Sequence, residues 1–152
     1  MKKNSIFRTI ITYVMLIALA IYAITMLSSN VTKDMTYTEL MQKIVATLDS
    51  KKATNIKSLE ITELSSVADY FVIATGTSGT HIRALSDEVQ DTLTKQGVEP
   101  RNVEGKSTGW ILLDYNTVVV HLFTPDQRET YSLEHLWGDA KEYDISTLIT
   151  ED

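Results

Sequence analysis

Four small groups of side chains have types and spacing that could do chemistry. Gly76-Thr77-Ser78-Gly79-Thr80 stands between an apolar run and a helical pattern. Backbone amides and hydroxyls there could cradle a phosphate at a helix N-terminus. The segment lacks the Lys of a P-loop and the spacing of a dinucleotide fingerprint, so a strand-to-helix turn with hydroxyl caps is the default. Asp69 and Asp114 each sit at the end of an expected strand; meeting at one sheet edge, they could hold Mg²⁺. Neither has an acidic neighbour in sequence, and a strand-end Asp bonding loop amides is the commoner use. His121 lies inside an expected strand with no Ser-His-Asp spacing around it, which favours a hydrogen-bonded structural residue over a general base. The other histidines are His81 and His135, and no two of the three lie at i, i+4, so the pattern names no metal centre. Cysteine is absent, which excludes a thiolate nucleophile, a zinc-thiolate site and a disulfide framework. The last group is Arg128, Glu129, Tyr131, Glu134, Leu136 and Trp137, where Trp137 is expected to pin the terminal segment to the sheet, with partner contact as its other use.

These residues need elements to hold them, and the clearest is Trp110–Phe123. Two apolar, β-rich runs flank Asn116-Thr117, short enough for a two-residue hairpin turn. A period of two then sets Tyr115 opposite Val118, Leu113 opposite Val120 and Ile111 opposite Leu122 on a face suited to the core. The opposite face pairs Asp114 with Val119, Leu112 with His121, and Trp110 with Phe123. That mixture of large apolar groups with one carboxylate and one imidazole suits a surface kept for a partner, the plain alternative being helices over both faces.

Before the hairpin, Thr36-x-x-Glu39 has capping-box spacing, and Leu40, Ile44 and Ala46-Thr47-Leu48 predict a helix ending near Ser50. Ile56–Ile61 reads as a strand and Tyr70–Thr75 as a central strand buried on both faces. A helix is expected from His81 to about Gln96, closed by Gly97, with Ile82, Leu85, Val89 and Leu93 as its buried stripe. Val98–Glu104 reads as a short strand with Pro100 inside, hence an edge or a strand start, followed by a polar loop at Gly105–Gly109. Thr124-Pro125 opens a short helix, and the chain ends in a polar tail. Strands alternate with helices and then give way to a hairpin, so the expected fold is an α+β sandwich with a mixed sheet of about five strands.

From Met35 onward the chain has 10 Lys and Arg against 19 Asp and Glu, a net of −9 compared with −6 overall. Such a domain lacks the basic footprint that nucleic-acid phosphates demand, so direct sequence-specific binding of nucleic acid is not expected. A basic protein is the better-matched partner, and acidity kept for solubility is the bland alternative. Residues 1–34 differ from the rest. Lys2, Lys3 and Arg8 precede Ile10–Leu27, 18 residues without a charge, long enough for a candidate membrane span. A signal peptide is the rival, although no Ala-x-Ala site closes the run.

Taken together, Asp69-Tyr-Phe-Val-Ile-Ala-Thr-Gly-Thr-Ser78, Val103-Glu-Gly105, Trp110-Ile-Leu-Leu-Asp-Tyr115, Val118-Val-Val-His121 and Tyr131-Ser-Leu-Glu-His-Leu-Trp-Gly-Asp139 resemble the ribosomal silencing factor, or Iojap-like, family. The likeness covers about residues 36–144, with the motifs in family order and spacing. It implies a domain over 35–145, followed by a polar tail at 146–152, with a nucleotidyltransferase-like fold lacking the paired catalytic carboxylates. It implies a cytoplasmic, non-enzymatic repressor of translation under nutrient limitation, without cofactor or metal. Such a factor binds protein fourteen of the large ribosomal subunit and hinders joining of the small one; a homodimer is left open. The resemblance places partner binding at Trp110 and its sheet neighbours, so the expected docking set is Trp110, Leu112, Asp114, His121 and Phe123, with Tyr131 and Trp137 beside them. Many relatives have Gly where this chain has Asn116, a change the turn can absorb. Residues 1–34 are foreign to the family and resemble instead the start of a membrane-anchored AAA-type protease. Two expectations compete there: translation from Met35, or a fusion tethering the factor at a membrane. A nucleotide-handling transferase using Gly76–Thr80 with Asp69 or Asp114 is the competing enzyme reading.

Overall fold

A computed structural model describes residues 2–29 and 35–150, with the side chains of 2–5, 7 and 25–29 outside the description. The chain divides into two units, Met1–Asp34 and Met35–Asp152. In the first, α1 (Lys2–Ser29) exposes all its described apolar side chains, Ile10, Val14, Ile17 and Ile24 among them. Among the described residues no helix is long and apolar enough to cross a membrane. The run expected to span ends at Leu27, whose side chain, like those of Thr25 and Met26, lies outside the description.

The second unit is built on a six-stranded mixed sheet in the order β3-β4-β5-β2-β1-β6. Its strands are β1 (Thr54–Glu60), β2 (Tyr70–Thr75), β3 (Asn102–Glu104), β4 (Trp110–Asp114), β5 (Val118–Phe123) and β6 (Lys141–Glu142). The helices are α2 (Tyr37–Ser50), α3 (Gly79–Thr94), α4 (Pro125–Tyr131) and α5 (Leu133–Leu136). β2 lies parallel to β5 and antiparallel to β1, which makes the sheet mixed. All six residues of β2 are buried, as a continuous apolar run with cover on both faces requires.

The hairpin keeps the expected register throughout: Trp110 opposite Phe123, Ile111 opposite Leu122, Leu112 opposite His121, Leu113 opposite Val120, Asp114 opposite Val119. Asn116 adopts φ +70°, which Asn tolerates where most side chains do not, and the Asp114 carboxylate accepts its amide at 2.7 Å. Thr36 and Glu39 form the full capping box of α2, each side chain accepting the other's backbone N–H. The apolar stripes of α2 (Leu40, Met41, Ile44, Val45, Leu48) and α3 (Ile82, Leu85, Val89, Leu93) cover one sheet face over Ile111, Leu113, Tyr115, Val118, Val120 and Leu122.

Two expectations change. The strand read over Val98–Glu104 shortens to Asn102–Glu104, with the Arg101 N–H donating to the Asp114 carbonyl at 2.7 Å just ahead of it, and Pro100 has no N–H to extend the ladder. A sixth strand comes from the end of the chain, where Lys141 and Glu142 pair with Glu60 and Leu59. Beyond it Ile145, Leu148 and Ile149 pack on the helix-side core, and the Asp49 carboxylate accepts the Thr150 amide and hydroxyl.

Candidate functional site

The second sheet face carries Trp110, Leu112, Asp114, Val119, His121 and Phe123 and is only partly covered. α4 starts at Pro125, where the missing N–H costs nothing at the first helical position. It turns into α5 at Ser132, which sits at φ +43°. Leu133 packs with Leu59, Ile61, Phe71, Ile73, Val119 and Phe123 in a second, smaller core, and Trp110, Leu112 and Trp137 border it. An ion pair fixes this cover: Arg128, 7 % exposed, donates to Thr75 Oγ1 at 3.0 Å and pairs with Glu134. Burial, the largest single influence, raises the pKa of the Glu134 carboxyl, but the Arg128 hydrogen bond, a backbone hydrogen bond and the charges of Arg128 and Lys57 together hold the group below the ordinary range. Sequence reading noticed both residues without pairing them.

The expected docking residues therefore separate into two layers. Trp110, Leu112 and Asp114 are half-buried, Tyr131 is 50 % exposed, and Trp137 is half-buried with its ring edge-on to Phe71 at 5.2 Å. Phe123 and His121 are 0 % and 4 % exposed, so neither presents a surface. They lie beneath Trp110 because α4 and α5 close over the distal part of β5. Trp110 stacks on Phe123 at 5.0 Å and tilts against Tyr131 at 4.6 Å. Its Nε1–H donates to His121 Nδ1 at 3.2 Å. His121 is boxed by Phe71, Trp110 and Phe123, and burial among these rings pushes its pKa down to about 4.

An open cleft of about 320 Å³ runs beside Trp110, lined by Glu104, Gly105, Thr108, Leu112, Gln127 and Tyr131. The loop before β4 builds one wall. Gly105 stands at φ +81°, and a Cβ there would come within 1.9 Å of the Trp110 carbonyl oxygen. Thr108 Oγ1 donates to that same carbonyl at 2.8 Å and accepts the Trp110 amide at 3.2 Å, so the loop holds both backbone polar groups of Trp110. Gly105 entered the sequence motif, but Thr108 and Gln127 carried no sequence signal.

The competing chemistry finds its groups engaged elsewhere. In the Gly76–Thr80 segment the Thr77 amide donates to His81 Nδ1 at 2.9 Å, and His81 Nε2 faces the Lys51 carbonyl at 2.9 Å. Ser78 Oγ caps α3 by accepting the His81 amide, and Gly76 N–H donates to the Phe123 carbonyl. Asp69 lies within reach of the Thr62 hydroxyl, and Asp114 holds the hairpin turn. Among the described residues no group of three or more His, Asp or Glu could hold a metal ion.

The model of the family described as "Ribosomal silencing factor during starvation" matches residues 34–152. The ribosomal silencing factor RsfS of Halalkalibacterium halodurans is 37 % identical over 113 residues, 74 % of this chain and 97 % of that protein. The chloroplastic protein Iojap of Zea mays is 38 % identical over 89 residues, 59 % of this chain and 39 % of that protein. A crystal structure of a Chromobacterium violaceum protein, 34 % identical, superposes with a TM-score of 0.67 over 68 % of this chain and 88 % of its own. The match does not reach residues 1–33, and the protease likeness of that stretch has no support in it. With this fold and these relatives, the chain belongs to the ribosomal silencing factor (RsfS/Iojap) family.

Proposed function

We propose that the domain acts in the cytoplasm as a non-enzymatic repressor of translation that docks on protein fourteen of the large ribosomal subunit and hinders joining of the small one. The observation that carries this reading is the half-buried Trp110 at the mouth of an open cleft, with Leu112 and the exposed Tyr131 as its apolar neighbours. A rigid aromatic anchor at the centre of a small apolar patch with a polar rim is the make-up of an interface hot spot. Glu104 lies on that rim, and the net charge of −9 after residue 34 complements a basic partner. A nucleotidyltransferase-like sheet without catalytic carboxylates fits the same reading. Its strand-to-helix turn at Gly76–Thr80 has no acidic residue, and the amides of Gly76 and Thr77 are already bonded.

Trp110→Ala tests the face. The variant is expected to keep its far-ultraviolet circular dichroism and to lose co-sedimentation with large subunits, with affinity weakened at least about thirtyfold, as truncation of a hot-spot tryptophan commonly does. Undiminished co-sedimentation would remove Trp110 from the docking face.

A further inference from the structure

We infer that His121, although it presents no surface of its own, is a positioning residue that fixes the Trp110 indole for partner binding. The inference rests on the docking-face reading of Trp110. In register Trp110 faces Phe123 and Leu112 faces His121, so Trp110 and His121 are diagonal neighbours on one face. Long aromatic side chains bridge that separation. The bridge made is Trp110 Nε1–H donating to His121 Nδ1 at 3.2 Å. Because Nδ1 accepts, the imidazole proton sits on Nε2.

That Nε2 is buried and has no hydrogen-bond partner. A merely structural histidine would be expected to bond through both nitrogens, as His81 does between Thr77 and Lys51. The one bond His121 makes is to the docking tryptophan. Phe123 and Tyr131 meet the indole through their rings, and the acceptor its N–H takes is His121 Nδ1. With the N–H engaged inward, the half-buried indole offers a partner only carbon surface and no free donor. The partner group that fits is therefore aliphatic or cationic, since a carbonyl or carboxylate seeking a hydrogen bond from Trp110 finds none.

The test uses the full chain with three His121 variants, Trp110→Ala and Trp110→Phe, and two readouts, large-subunit affinity and hydrogen exchange of the Trp110 indole N–H, assigned by its loss in Trp110→Phe. His121→Phe keeps an aromatic ring but removes the acceptor. It is expected to speed indole exchange at least tenfold and weaken subunit binding about fivefold to tenfold while the melting temperature does not fall. If the larger ring crowds the site and lowers the melting temperature, His121→Leu takes its place with the same expectation. His121→Asn puts an amide oxygen near the Nδ1 position and is expected to restore both exchange and affinity. Wild-type affinity or wild-type indole exchange in His121→Phe and His121→Leu would overturn the positioning role, as would an Asn variant no better than Leu. Should Trp110→Ala itself bind like wild type, the docking-face reading fails and this inference falls with it. Loss in Trp110→Ala without loss in the His121 variants removes the positioning role alone.

Discussion

At the scale of single residues, His121 shows environment overruling side-chain type. An imidazole in water is half-charged near pH 6.5, whereas burial under Trp110 and between Phe71 and Phe123 brings its pKa to about 4. The unfolded chain therefore binds a proton at a pH where the folded one refuses it. This contribution to stability is complete above the unfolded value and is lost as pH falls through the window from about 6.5 to about 4. Between pH 7 and pH 5 the loss is on the order of 2 kcal/mol. Unfolding free energies from denaturant titrations at the two pH values are expected to differ by that much in wild type and by less in His121→Phe. Equal pH sensitivity in the two proteins would assign the acid lability to other groups. The sequence pattern placed His121 on the correct face and strand, with no Ser-His-Asp spacing around it. It could not show the burial, because that depends on where four residues of α5 and the buried Arg128 come to rest. Nothing periodic encodes a helix that short.

At the scale of elements, the hairpin was legible in full and its covering layer was not. Period-two patterning with a two-residue turn leaves one register, since a slip by one would send Leu113 and Val120 to the solvent side. The stripes of α2 and α3 were legible for the same reason, at a period of 3.6. β6 was not, because two residues borrowed by an edge carry no pattern. The loop from Gly105 to Gly109 lies between these cases: its glycines mark a tight path, but its purpose appears only once Thr108 is seen holding the backbone N–H and C=O of Trp110. Gly105→Ala combines a positive φ with a Cβ driven into the Trp110 carbonyl. It is expected to destabilise the full chain by roughly 2–4 kcal/mol. Because the relief available is a shift at the start of β4, subunit binding should weaken even at temperatures where the variant stays folded. A Gly105→Ala protein with wild-type denaturation midpoint and affinity would show that the loop does not set Trp110.

For the whole molecule, the decisive quantity is the distribution of charge. The residues after 34 carry −9 and those before it are basic, so the acidic field belongs to the unit that bears the Trp110 cleft. Fields of this size act over about a Debye length, near 10 Å at 0.1 M salt, and steer approach more than they hold a finished complex. The apolar contacts at Trp110, Leu112 and Tyr131 are short-ranged and little affected by salt. The two contributions should therefore separate kinetically. Raising ionic strength from about 0.05 to 0.3 M is expected to slow association of the chain with large subunits roughly tenfold, while the dissociation rate changes less than about twofold. Trp110→Ala should do the reverse, speeding dissociation and leaving the salt dependence of association intact. Stopped-flow mixing of labelled chain with purified large subunits reads both rates. Association indifferent to salt would mean that the surface met on the subunit is not basic, and the acidity of the domain would then reduce to a device for solubility.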